Sequence, residues 1–120
     1  MAGDEIVRVA GGATGRNTAS AWRDLVWAVA TAAHAGDDVY AQTMATLARI
    51  DEALAECGTD KTRLLTATVY ITRMEHKAEM DRAWNEWIGS DPAHWPQRAC
   101  VAVQLEGRAL VEIVVAAARR

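Results

Sequence analysis

Two ionisable residues stand inside the most apolar part of this chain. The closing stretch WPQRACVAVQLEGRALVEIVVAAARR, Trp95 to Arg120, is rich in Val, Ala and Leu, yet it carries Arg98 and Glu112. A guanidinium is planar and presents paired N–H donors, and a carboxylate accepts hydrogen bonds or exchanges a proton, so Arg98 and Glu112 could line a groove or converge with residues of a neighbouring subunit. Cys100 lies two positions beyond Arg98 and shares its face of a strand. A small buried residue is the simpler reading of Cys100. A nucleophilic thiol needs a base, and the sequence places no histidine beside it.

Other chemistries find less support. His34, His76 and His94 are isolated, and Cys57 and Cys100 form no C-x-x-C pair, so no metal site is expected. Reduced thiols and a cytoplasmic location are expected, because MAGDEIVRVA lacks the apolar core of a secretion signal. No apolar run approaches the ~20 residues that a membrane helix needs. The net charge is -3 and the basic residues are spread along the chain, which argues against nucleic acid as the partner. The glycines of GGATGRN (Gly11–Asn17) fit neither a Walker loop nor a dinucleotide fingerprint, so a turn or flexible loop is expected there.

The elements that must position Arg98 and Glu112 follow from periodicity. Glu5–Ala10 alternates as a strand. Ser20–Asp24 and Leu25–Ala33 read as a hairpin turning at Arg23-Asp24, its second strand apolar on both faces and so covered on both. Asp37 or Asp38 caps a helix running to about Cys57, with Val39, Met44, Leu47, Ala48, Ile50 and Leu54 as its apolar stripe and Gly58 as its stop. Leu64–Thr72 is a strand with Leu65, Ala67, Val69 and Ile71 on one face and Thr66, Thr68, Tyr70 and Thr72 on the other. A second helix spans about Lys77 to Ile88, with Met80, Ala83, Trp84, Trp87 and Ile88 inward. Arg98–Leu105 and Ala109–Ala118 close the chain as strands.

This order, βββαβαββ, predicts an α+β fold: one mixed sheet with two helices on one face, a single domain over residues 1–120. With Glu106-Gly107-Arg108 as a hairpin loop, Glu112 falls opposite Ala102, and Arg98, Cys100, Ala102 and Glu112 share a face. Arg98 then lies about 13 Å along the strand from Glu112, too far for a direct ion pair. Two helices cover one face only; the other could meet water or another subunit, and self-association is the economical way to cover its apolar residues.

The motifs together resemble the YjgF/RidA family. PQRACV followed by the strand ending V-E-I looks like its closing segment. A-Q-T in the first helix, the T-V-Y-I-T strand and the M-x-x-x-W segment match in order, so the resemblance runs from about Leu25 to Arg120. It implies a chorismate-mutase-like fold and a homotrimer with pockets between subunits. It also implies hydrolytic deamination of small carboxylate-bearing enamines and imines to 2-oxo acids and ammonia, without a cofactor. By the same resemblance Arg98 binds the substrate carboxylate, Glu112 positions or activates the water, and Cys100 lines the pocket. A non-catalytic trimer binding small carboxylates or 2-oxo acids is the alternative.

Three positions depart from the family pattern. Val29-Ala30-Thr31 stands where S-G-Q is usual, which places Ala30 and Thr31 at the pocket. GRNTAS lacks the N-terminal-loop tyrosine and brings Arg16, Asn17 or Thr18 there instead. Asp81 replaces an asparagine, setting an anion where a carboxylate substrate would approach. Trp95, beside Pro96, walls the pocket or packs structurally, and His34 borders it or lies in an exposed loop.

Overall fold

The structure, a computed structural model, describes residues 4–120. Met1–Gly3, which belong to the N-terminal stretch and to the domain expected over 1–120, lie outside the described residues. The strands and α-helices follow the expected order: β1 (Val7–Ala10), β2 (Asn17–Trp22), β3 (Leu25–Ala30), α1 (Val39–Glu56), β4 (Leu64–Ile71), α2 (Lys77–Ile88), β5 (Gln97–Ala102) and β6 (Val111–Ala118). They form one mixed sheet in the spatial order β1-β2-β3-β6-β4-β5, antiparallel throughout except for the parallel β4–β5 pair.

The caps of α1 are chemical. Asp38 Oδ1 accepts from the Tyr40 N–H and satisfies a backbone donor that the first turn leaves open. At the other end Gly58 adopts φ +78°. That left-handed turn lets the Gly58 and Thr59 N–H groups reach back to the Ala55 and Leu54 carbonyls. The buried stripe of α1 includes Leu47, Ile50 and Leu54 as expected, but Ala48 is exposed and Met44 only half-buried. Gln42, Thr43 and Thr46 take the buried positions instead. Helix α2 buries Met80, Ala83, Trp84, Trp87 and Ile88, the five residues that its period selects.

One face of the sheet carries the core. Val69 and Ile71 of β4, and Val111, Ile113 and Val115 of β6, are sealed beneath Leu47, Ile50, Leu54 and Met80 of the helices. Each such side chain contributes about 1.5–3 kcal/mol by leaving water. The opposite face keeps Trp22, Leu25, Trp27, Val101 and Val114 exposed, so the two-sided apolar strand β3 has a cover on one side only. It also ends at Ala30 rather than Ala33. Leu65 does not share the Ala67–Val69–Ile71 face. The register slips between Leu64 and Thr66, which buries Leu64 and leaves Leu65 exposed.

The terminal hairpin does not form. β6 is inserted between β3 and β4, and β5 pairs in parallel with the outer edge of β4. The chain therefore crosses the end of β4 between Ala102 and Val111. Both ends of that crossing are pinned there: Val103 N–H donates to the Ile71 carbonyl and Thr72 N–H to the Leu110 carbonyl. A strand–helix–strand unit leaves its two strands parallel. β5 follows β4 through α2 in this way, and the slot beside β3 is left for β6.

Candidate functional site

Paired residues on neighbouring strands point to the same side of a sheet. Arg98 pairs with Ala67 and Cys100 with Val69, so both belong to the helix-covered face. Glu112 pairs with Tyr70, on the helix-free face. The expected sharing of one face by Arg98, Cys100, Ala102 and Glu112 is thus corrected: the first three face the helices and Glu112 faces away. The false hairpin register caused the error. Arg98 and Glu112 are separated by the width of two strands and by three residue levels, about 10 Å in each direction.

Helix α2 surrounds Arg98. Its Nη2 donates to Asp81 Oδ1 at 2.6 Å, its Nη1 to Met80 Sδ at 3.7 Å, and its guanidinium lies 5.2 Å from the centroid of a Trp84 ring. Asp81 Oδ2 accepts from Lys77 Nζ at 2.7 Å. Burial works to raise the Asp81 carboxyl, but the hydrogen bonds from Lys77 and Arg98 outweigh it and hold the group below its ordinary range. Cys100 is a half-buried free thiol packed against the core. Trp95 is exposed and held by an Nε1–H bond to the Gly89 carbonyl at 2.9 Å.

Glu112 is half-buried, two positions from Val114 on the same face. Val114 pairs with Val29, and both line a cleft of about 330 Å³ with Arg8, Arg16, Asn17, Ser20 and Trp27. A smaller cleft of about 200 Å³ adjoins it, lined among others by Gly11, Arg16, Ala30, Thr31 and Arg49. Arg49 donates to the Thr31 carbonyl at 2.9 Å, and Thr18 Oγ1 to the Val29 carbonyl at 3.0 Å. The strand end at Ala30–Thr31 is thereby fixed to α1 and to β2. His34 is exposed on the following turn. Ala30 pairs with Ile113 and turns its side chain to the core.

Sequence reasoning missed the residue that positions the approach to Glu112. Gln42 is fully buried; its Nε2 donates to the Gly36 and Arg108 carbonyls at 2.5 and 3.0 Å, and its Oε1 accepts from the Leu110 N–H at 2.9 Å. One amide ties α1 to the loop before it and to the segment that leads into β6. A glutamine on the apolar side of a helix was the available signal, since a buried amide needs partners.

The pattern of this fold and these residues has relatives. The endoribonuclease L-PSP family matches residues 24–119. A YjgF family protein of Neisseria meningitidis, NMB1025, superposes with a TM-score of 0.88 at 32% identity over 98% of both chains. The chain belongs to the YjgF/RidA family. A RutC family protein of Haemophilus ducreyi is 45% identical over 82 residues, 68% of each chain. Rv2704 of Mycobacterium tuberculosis, described as a YjgF/YER057c/UK114 family member, superposes with a TM-score of 0.85 at 26% identity, over 95% of this chain and 99% of its own. Among the described residues no three His, Cys, Asp or Glu side chains gather to hold a metal ion, and no helix is long and apolar enough to cross a membrane.

Proposed function

We propose that three copies of this chain assemble around their helix-free faces and hydrolyse small carboxylate-bearing enamines or imines in the cytoplasm, in pockets between subunits. The observation that carries the reading is the separation of Arg98 and Glu112. They lie on opposite faces of one sheet, so one chain does not offer both to one small ligand, whereas two copies edge to face can. The exposed apolar residues of the helix-free face supply the contact.

In this pocket Arg98 holds the substrate carboxylate through its planar fork. Glu112 of another copy takes a proton from water as the oxygen bonds to the imine carbon. An enamine first tautomerises to the imine; Glu112 then returns the water proton to nitrogen, giving a carbinolamine, and as the C–N bond breaks the hydroxyl proton moves to nitrogen, the C=O bond forms, and ammonia leaves a 2-oxo acid. Thr31 and Ala30 bound the pocket at the end of β3, Cys100 lines it beside Arg98, and Asp81 sets its charge. The net charge of -3 favours a small acid over RNA as the ligand.

The test is ammonia release from 2-aminoacrylate generated in place, with the parent and with Glu112→Gln, which keeps shape and hydrogen bonding but removes the base. The parent should accelerate release and the variant should lose on the order of 10²–10⁴-fold. A fully active variant overturns the role of Glu112. An inactive parent that still binds pyruvate makes the protein a carboxylate binder instead.

A further inference from the structure

The charge at Arg98 is not free. Asp81 stands between two cations, 2.6 Å from Arg98 Nη2 and 2.7 Å from Lys77 Nζ. The three groups together carry a single positive charge. Arg98 is also the least exposed of them, at 18% against 28% for Asp81 and 44% for Lys77, so solvent screens this pair less than a fully exposed one. Met80 and Trp84 hold the guanidinium from the helix side. Asp81 engages one Nη2–H only, and a guanidinium has five N–H donors, so Arg98 keeps donors for a ligand.

We infer that Asp81 is a specificity-determining residue: by neutralising one of two cations at the carboxylate anchor, it tunes the site to monocarboxylates and against dicarboxylates. The inference rests on the reading of Arg98 as that anchor. A monoanion meets a site of matching charge. The second carboxylate of a dianion brings another negative charge close to Asp81, with no second cation left to receive it. Like charges within a few ångströms of each other in a partly dried site repel strongly. Lys77 would serve as the receiving cation were Asp81 neutral, because it lies one helical turn away on the same side of α2.

The experiment is calorimetric titration of the parent, Asp81→Asn and Arg98→Ala with pyruvate, a monoanion, and with oxaloacetate, a dianion. Asn keeps an oxygen to accept from Arg98 but turns an NH2 group toward Lys77, so the charge is removed and Lys77 is released from its hydrogen bond. The affinity for oxaloacetate relative to pyruvate should rise by about tenfold or more in Asp81→Asn, as one removed repulsion of this kind implies. Asp81→Ala should shift the ratio in the same direction, even where loss of the acceptor loosens both ligands. An unchanged ratio, or an equal change for both acids, overturns the inference and makes Asp81 a mere support for Arg98. If that occurs while Arg98→Ala abolishes pyruvate binding, the anchor reading stands alone. If Arg98→Ala binds pyruvate as the parent does, the anchor reading falls and the inference with it.

Discussion

Replacing Gln42 with Leu tests how the fold holds the approach to Glu112. The substitution keeps the side chain's bulk within the core but removes every polar atom from it. Leu110 is half-buried, so its N–H loses its partner at about 1–3 kcal/mol. Gly36 and Arg108 are exposed; their carbonyls turn to water, each losing about 0.5–1 kcal/mol of net hydrogen bonding. The added apolar burial returns about 1 kcal/mol. The net destabilisation is about 1–4 kcal/mol. Urea unfolding followed by tryptophan fluorescence measures it, at matched protein concentration because any self-association would add to apparent stability. Amide exchange should accelerate first at Thr72, whose N–H bonds to the Leu110 carbonyl, while the β4–β6 ladder stays protected. Equal stability and an unchanged exchange pattern would refute the reasoning.

Three other outcomes follow from single groups. Ile113→Ala, at a fully buried position in the middle of the sheet, should cost about 2–5 kcal/mol in the same urea assay. Gly58→Ala should cost about 1–2 kcal/mol through backbone strain, because φ is +78° while the new Cβ meets nothing closer than Arg119 Nε at 3.9 Å; an unchanged melting temperature would contradict this. Hydrogen bonds from Thr62 and then Arg120 lower the Asp60 carboxyl from 3.8 to about 2. A depressed folded-state value means stability that is present above 3.8 and lost as pH falls towards 2. Asp60→Asn should therefore be less stable than the parent at neutral pH and converge with it near pH 2, read from urea midpoints across that range.

The local elements were legible because their signals are local. Asp38, Gly58 and the period of Met80, Ala83, Trp84, Trp87 and Ile88 fix helix ends and faces without reference to distant residues. Strand partners are not local. QRACVA and VEIVVAAA, with a glycine between them, carry the marks of a hairpin. Nothing in the stretch states that β4 will stand between them. That decision belongs to the crossing pinned at Ile71 and Thr72. The candidate residues Arg98 and Glu112 were legible by type: a guanidinium and a carboxylate inside apolar strands stand out in the sequence alone. Their placement on opposite faces was hidden by the same error of register. Asp81 was visible as an anion out of pattern, but its pairing with both Lys77 and Arg98 depends on how α2 lies against β5. Gln42 needed the tertiary structure, since two of its three partners, Arg108 and Leu110, lie 66 and 68 residues along the chain.

The claim that Arg98 and Glu112 meet across a subunit boundary is tested most directly by complementation. Arg98→Ala and Glu112→Gln proteins are each assayed for ammonia release from 2-aminoacrylate, then unfolded together in equal amounts, refolded and assayed again. Each variant alone should be nearly inactive. In randomly mixed trimers about one quarter of the interfaces unite an intact Arg98 with an intact Glu112, so activity should return to roughly a quarter of the parent's. Activity that stays at the level of the separate variants, in a mixture shown to contain mixed trimers, would place both residues in one chain's site and contradict the account.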